Sequence, residues 1–212
     1  MLFKDRVDAG RQLADKLSGQ IGKDGLVLAI PRGGVVVGAE VARKLGLELD
    51  LIIPRKIGAP QNPEVAIGAV TQDGTTIFDR RLIGLLGVSE LEIEDKISCE
   101  ISEINRRMSL YRGSENHPDY AGRQLVVVDD GVATGYTMLA ALRSARHFNP
   151  RELILAIPVS PPDTLEMLKK EVDRTVCLYS PEDFYAVGQF YQRFDQTEDD
   201  EVIKILKELK KQ

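Results

Sequence analysis

The 212-residue sequence contains only two cysteines, Cys99 and Cys177, and they lie far apart along the chain. This excludes the paired spacing of a zinc site and the dense disulfide framework of a small secreted domain. No apolar run approaches the roughly 18 residues of a membrane span. The N-terminus becomes charged within its first six residues, where a signal peptide would be apolar. We therefore expect a soluble cytoplasmic protein with no membrane partner.

Positive charge is also scarce. The 28 lysines and arginines are outnumbered by 33 aspartates and glutamates, so the net charge is -5. An acidic chain has no general field that attracts a nucleic-acid backbone, and we expect no nucleic-acid partner. Hydrophobic residues make up 43% of the sequence, which is enough to bury the core of one α/β domain.

Short, continuous apolar runs alternate with segments of helical periodicity. An amphipathic helix is predicted over the first 20 or so residues, and a second helix over 36–45. Because such runs are typical of strands buried on both faces, they predict a parallel sheet flanked by helices. The predicted strands are 26–30, 49–54, 125–128 and 153–158.

Other segments interrupt this alternation. Residues 57–79 are expected to form a flexible loop or hairpin insertion in a core that spans 1–179. A helix is predicted over 90–112, with its charges in solvent and one buried stripe. Residues 180–212 are expected to form a small hood and a final helix from residue 201, and they hold five of the twelve aromatic residues. The residues of the predicted buried stripe are Leu91, Ile97, Ile101 and Ile104.

The strand at 125–128 leads into two acids, Asp129 and Asp130, and then into the short turn 131–137. In an open α/β sheet, ligands bind where strands end, and the backbone N–H groups of a small-residue turn can hold a phosphate at a helix N-terminus. The two carboxylates can accept hydrogen bonds from sugar hydroxyls or hold the hydration shell of Mg²⁺. A plain helix N-cap is the alternative interpretation. The residues of the predicted turn are Gly131, Val132, Ala133, Thr134, Gly135, Tyr136 and Thr137.

The string VVVDDGVATGYT resembles the substrate loop of type I phosphoribosyltransferases. The resemblance implies that Asp129 and Asp130 hold the ribose hydroxyls of 5-phosphoribosyl-1-diphosphate (PRPP), and that 131–137 surrounds its 5-phosphate. It further implies Mg²⁺, bound to the two acids indirectly through water or substrate. Tyr136 replaces the usual small residue, so it either tightens the turn or points outward. A homodimer is one assembly that the resemblance implies.

Two further segments follow predicted strands. Arg32, Gly33 and Gly34 occupy the position that the family uses for the diphosphate, although the glycines also crudely resemble a dinucleotide turn. Arg55 and Lys56 match the family's cationic diphosphate contacts, whereas solvated surface is the alternative. The predicted catalytic set is Asp129, Asp130, Arg55 and Lys56.

The acceptor is less defined than the donor. Family members that act on 6-oxopurines carry an aspartate where this sequence has Ala133, so the resemblance argues against hypoxanthine and guanine. Glu64 is a candidate to position the nucleophile or accept its proton. The aromatic residues of 184–194 either stack on the acceptor or pack against the core.

Three functions remain open from the sequence. The first is transfer of the phosphoribosyl group from PRPP to a nucleobase-like acceptor, with release of pyrophosphate, in nucleotide salvage. The second is a regulatory protein that senses PRPP or a nucleotide without turnover. The third is another transfer or phosphorolysis reaction at the same sugar-phosphate site.

Overall fold

The computed structural model describes residues 2–210. The predicted ranges 1–179 and 180–212 therefore include three residues, at 1, 211 and 212, that lie outside the described residues. The helices are α1 (Arg6–Leu17), α2 (Gly33–Leu45), α3 (Arg80–Leu86), α4 (Glu90–Arg112), α5 (Tyr136–His147), α6 (Pro162–Lys169) and α7 (Asp199–Leu209). The strands are β1 (Leu26–Ala29), β2 (Glu48–Leu51), β3 (Arg55–Ala59), β4 (Asn62–Val70), β5 (Thr76–Phe78), β6 (Gln124–Val128), β7 (Glu152–Val159) and β8 (Arg174–Tyr179). No helix in this described part combines the length and apolarity needed to cross a membrane.

Five strands form a parallel sheet in the order β2-β1-β6-β7-β8. All residues of β1 and β6 are buried, which explains why these strands are continuous apolar runs in the sequence. The predicted α/β fold with a helix-flanked parallel sheet is confirmed. The edge strand β8 is only partly buried along its length and carries no such run.

Successive residues of the central strands face opposite layers of helices. One row across the sheet, Val27, Val126 and Ile154, packs with residues of α1 and α2. The neighbouring row, Leu28, Val127 and Leu155, packs with residues of α5 and α6. This alternation puts a helix layer on each face of the sheet.

Residues 55–78 form a second sheet, which is antiparallel and has the order β3-β4-β5. The flexible loop or hairpin predicted at 57–79 falls in this three-stranded unit. It packs with α4, whose Ile104 is buried as expected. Leu91 is 74% exposed, so the prediction that it belongs to the buried stripe was wrong. Met108 and Tyr111 continue the buried stripe toward the C-terminus of α4 instead.

The chain beyond β8 returns to the N-terminus. A short 3₁₀ turn, Val187–Phe190, lies beside Phe3, whose backbone N–H donates to the carbonyl oxygen of Phe190 at 2.7 Å. The predicted final helix is present as α7, which contacts both α2 and α4. The separation of a hood at residue 180 stays a prediction.

Candidate active site

The loops after β1 and β6 meet at the centre of the parallel sheet. β1 and β6 are neighbours in the sheet. The strand that follows β1 in the chain, β2, lies on one side of this pair, and β7 and β8 lie on the other side. A hydrogen bond of 2.9 Å from the N–H of Ile30 to the carbonyl oxygen of Val128 joins the carboxyl ends of β1 and β6. Such a reversal of strand order leaves a crevice that binds ligands in open α/β folds.

Asp129 and Asp130 stand at this reversal point, directly after β6. The N–H of Asp130 donates to Oδ1 of Asp129 at 2.8 Å, which restricts the rotation of the Asp129 carboxylate. Burial and then the negative charge of Asp130 raise the pKa of Asp129 well above its usual range. Burial also raises the pKa of Asp130, and the guanidinium of Arg6 opposes that shift. Two oxygen-rich side chains are thus held together at the end of one strand.

The turn after these acids leads into α5. Gly135 precedes the helix with a φ of 84°, in the left-handed region that glycine adopts without strain. The backbone N–H groups of 133–135 donate to no residue that the structure describes. Those of the first turn of α5 have no partner within the helix either. The turn therefore presents a row of unused donors at a helix N-terminus, which suits a phosphate.

Tyr136 is the first residue of α5, which begins two residues before the position near 138 expected from the sequence. Its hydroxyl donates to Oδ2 of Asp79 at 3.2 Å. Asp79 caps the N-terminus of α3, outside the turn. Of the two alternatives left by the sequence, this contact favours a ring that points outward.

A cleft of about 500 Å³ opens beside the two loops. It brings together Asp129, Thr137, the cations Arg55 and Lys56, and Glu64. Arg55 and Lys56 begin β3, and Glu64 lies in β4, so the antiparallel sheet forms one wall of the cleft. Residues from both sides of the predicted site thus share one cavity.

Helix α4, which packs on the antiparallel sheet, also lines the cleft, although its charges were expected to lie in solvent. Lys96, Glu100 and Arg107 are partly exposed and line the cleft, so these three charged side chains are near the candidate site. Glu100 also forms an ion pair with Arg55, which ties α4 to β3 at the cleft. Their spacing of four and seven residues follows one face of the helix, but nothing in the sequence marks that face as the inner one.

The predicted diphosphate residues after β1 are divided between two places. Gly33 and Gly34 form the first turn of α2, directly against the two acids. Arg32 does not line the cleft as the structure describes it, and its Nη1 lies 3.5 Å from carboxylate oxygens of Glu198 and Asp199 near the start of α7. A role of Arg32 in diphosphate binding stays a prediction.

Arg6 is a site residue that no motif in the sequence indicates. Its Nε lies 2.7 Å from Oδ2 of Asp130, and both side chains are largely buried. Arg6 begins α1, 124 residues before its partner, in a helix with an ordinary amphipathic pattern. Only the folded chain reveals the contact.

The aromatic residues of 184–194, which we call the aromatic tail, lie outside the cleft in the part of the chain that the structure describes. Phe190 and Tyr191 are buried in a cluster with Phe3. Tyr185 is 89% exposed. The contacts of Phe190 and Tyr191 favour packing over stacking on an acceptor.

The architecture and the position of this site at the strand ends can be compared with known families. Residues 3–194 match the family model described as the phosphoribosyl transferase domain. The chain belongs to the phosphoribosyl transferase family. The match covers both loops, the antiparallel sheet, α4 and all the aromatic residues of 184–194.

Relatives of known sequence carry the same family name. The chain is 40% identical over 205 residues to a Mycobacterium tuberculosis protein that is provisionally named a phosphoribosyl transferase. The alignment covers 97% of this chain and 46% of the relative. The chain thus spans about half the length of the curated relatives it matches.

Solved structures share the fold. The Thermus thermophilus protein TT1426 is 40% identical, with a TM-score of 0.82 over 99% of both chains. A purine phosphoribosyltransferase from Pyrococcus horikoshii is 17% identical, with a TM-score of 0.51 over 91% of this chain and 92% of that one. This second likeness extends to the fold alone.

Proposed function

We propose that this chain binds PRPP at the carboxyl ends of β1 and β6 and transfers its phosphoribosyl group to a nucleobase-like acceptor with release of pyrophosphate. The observation that carries the proposal is that Asp129, Thr137, Arg55 and Lys56 line one cleft. Asp129 of the acidic pair, Thr137 of the turn and the two cations thus face one cavity, which suits a single ligand with sugar hydroxyls, a 5-phosphate and a diphosphate.

The turn 131–137 receives the 5-phosphate in this proposal. Its unused backbone N–H groups and the hydroxyls of Thr134 and Thr137 supply donors at the N-terminus of α5, where the helix dipole favours an anion. Asp129 and Asp130 accept hydrogen bonds from the 2′ and 3′ hydroxyls. The sugar then lies across the point where the strand order reverses.

Arg55 and Lys56 stabilise the negative charge that develops on the diphosphate as its bond to the anomeric carbon breaks. Mg²⁺ binds proteins through one or two carboxylates and completes its shell with water and substrate phosphates. Asp129 and Asp130 would hold the ion indirectly, through water or substrate oxygens. When bound, the ion would neutralise part of the charge of the diphosphate.

The acceptor enters from the side of the cleft that contains Glu64. A ring nitrogen of the acceptor forms the new bond to the anomeric carbon, and the proton that this nitrogen loses passes to a nearby base. Glu64 is a candidate for that base, because it lines the cleft and its carboxylate can accept a proton. Such a reaction belongs to nucleotide salvage.

Calorimetric titration with PRPP and Mg²⁺, followed by a pyrophosphate-release screen across free nucleobases, tests the proposal. We expect binding, and release with one base. Binding without release for any base would instead favour a regulatory protein that senses PRPP. Absence of binding would contradict both functions.

The Asp130→Asn variant tests the site itself. Loss of a hydrogen bond to a charged group costs about 1.5–3 kcal/mol, so we expect the Kd for PRPP to rise by about tenfold or more. Asp95→Asn, at an exposed position of α4, is the matched control and should bind as the unmodified protein does. Equal affinity of both variants would remove Asp130 from the site.

A further inference from the structure

The guanidinium of Arg6 connects the N-terminus of α1 with two other parts of the chain, the loop after β6 and the segment at 194–195. Its Nε contacts Oδ2 of Asp130 at 2.7 Å, and its Nη1 donates to the carbonyl oxygen of Asp195 at 2.6 Å. Its Cζ atom lies 3.9 Å from the centre of the Phe194 ring. The Arg6 side chain is only 12% exposed. The edge of the guanidinium forms hydrogen bonds and its face lies over an aromatic ring, so the side chain has little freedom to move.

The aromatic tail also contacts the backbone of Asp130. The hydroxyl of Tyr191 donates to the Asp130 carbonyl oxygen at 2.6 Å. Tyr191 is buried, and its ring packs on Phe194 with the centroids 4.9 Å apart. The aromatic tail therefore contacts the main chain of Asp130 directly, through Tyr191. It is connected to the Asp130 carboxylate indirectly, through Arg6.

This arrangement limits how the Asp130 carboxylate can turn. Arg6 donates to one oxygen of the carboxylate, Oδ2, so the carboxylate cannot rotate without breaking this contact. The side chain of Asp129 lies next to it, and the positive charge of Arg6 opposes the rise in pKa that burial causes in both acids. The cation therefore fixes the Asp130 carboxylate beside Asp129.

We propose that Arg6 is a positioning residue that holds the Asp130 carboxylate in the orientation that accepts a ribose hydroxyl, and that it links the aromatic tail to the sugar site. The inference rests on the proposed function, since it assigns Arg6 an effect on PRPP binding that passes through Asp130. It also gives the tail a role in donor binding that does not require any contact with the acceptor.

A double-mutant cycle tests this link. PRPP affinity is measured by calorimetry for the unmodified protein, Arg6→Met, Asp130→Asn and the double variant. We expect Arg6→Met to raise the Kd about tenfold in the unmodified background and less than about twofold in the Asp130→Asn background. An equal penalty in both backgrounds, or no penalty in either, would overturn the inference.

Arg193→Met is the matched control for a purely structural effect. Arg193 forms an ion pair with Asp5, the residue before Arg6, so it connects the same two segments without touching Asp130. We expect its Kd for PRPP to stay within about twofold of the unmodified protein. A weakening equal to that of Arg6→Met would show that Arg6 only fastens the tail.

Two other outcomes are separable. If the unmodified protein binds no PRPP, the proposed function fails and the inference fails with it, whereas binding that is insensitive to Arg6 overturns the inference alone.

If Arg6→Met lacks the native circular dichroism spectrum, Arg6→Lys replaces it. Lysine keeps the charge without the planar fork, so we expect a loss of about threefold that also disappears in the Asp130→Asn background.

Discussion

Gly33 and the carboxylate of Asp130 are in direct contact across the two central loops. A Cβ atom at position 33 would lie 2.0 Å from Oδ2 of Asp130 and 2.6 Å from Nε of Arg6. No side chain fits such distances. A residue that the sequence suggests for diphosphate binding is therefore also required for the packing of the acidic pair.

Gly33→Ala is expected to displace both Asp130 and Arg6. Overpacking of this kind costs about 1–3 kcal/mol, which urea unfolding would measure, and PRPP affinity should fall with it. Gly84→Ala in α3 is the control, because a Cβ there meets no atom within 4 Å and alanine favours a helix. The packing argument would be wrong if Gly33→Ala bound PRPP as tightly as Gly84→Ala.

The parts of the fold that the sequence predicts are those with a local signal. Central strands such as β6 are buried on both faces, so they appear as unbroken apolar runs. The edge strand β8 mixes Arg174, Thr175 and Cys177 and is only partly buried, and the sequence analysis did not identify it. The start of α2 was expected at Val36, because glycines are poor helix formers, whereas packing against the acids places Gly33 in its first turn.

The same distinction applies to the site. Asp129 to Thr137 form one contiguous string, so their chemistry can be inferred from neighbours in the sequence. Arg6, Lys96 and Arg107 reach the site from helices whose amphipathic patterns are ordinary. Which charged side chain turns inward depends on how each helix packs, and that information is not local.

Arg107 is expected to contribute to anion binding in the cleft. Arg106 and Arg107 both form ion pairs with Glu103, but only Arg107 lines the cleft. Arg107→Gln should therefore raise the Kd for pyrophosphate about tenfold, since a charged hydrogen bond contributes about 1.5 kcal/mol. Arg106→Gln, which loses a comparable ion pair, should leave the Kd unchanged. Equal calorimetric values for the two variants would exclude a direct contact.

Phe190 and Tyr185 distinguish the two interpretations of the aromatic tail. Phe190 is 6% exposed and packs on Phe184 and Tyr179, with ring centroids 5.2 and 5.7 Å away. Phe190→Ala is expected to lower the free energy of unfolding by about 3 kcal/mol. Tyr185→Ala, at an exposed position, should change it by less than about 0.5 kcal/mol. Thermal and urea unfolding measure both effects, and a loss of turnover in Tyr185→Ala alone would instead indicate stacking on the acceptor.

Glu103 should make the stability of α4 depend on pH. The hydrogen bond from Arg106, with a further contribution from Arg107, lowers its pKa from 4.5 to about 2. A carboxyl group whose pKa is lower in the folded state stabilises the fold above its unfolded pKa, and this contribution is lost as the pH falls from about 4.5 toward 2.

Glu103→Gln removes the charge and measures this contribution. The Glu103 side chain is 28% exposed, so solvent screening limits the expected loss to about 1 kcal/mol at pH 7. Urea unfolding between pH 7 and pH 3 should show the difference from the unmodified protein shrinking on the acid side. Glu94→Gln, at an exposed position of the same helix, should show a smaller difference at every pH. A gap between the unmodified protein and Glu103→Gln that stayed constant with pH would contradict the assignment. Protonation makes the Glu103 side chain neutral, as the glutamine already is, so the two proteins should become more alike in stability as the pH falls.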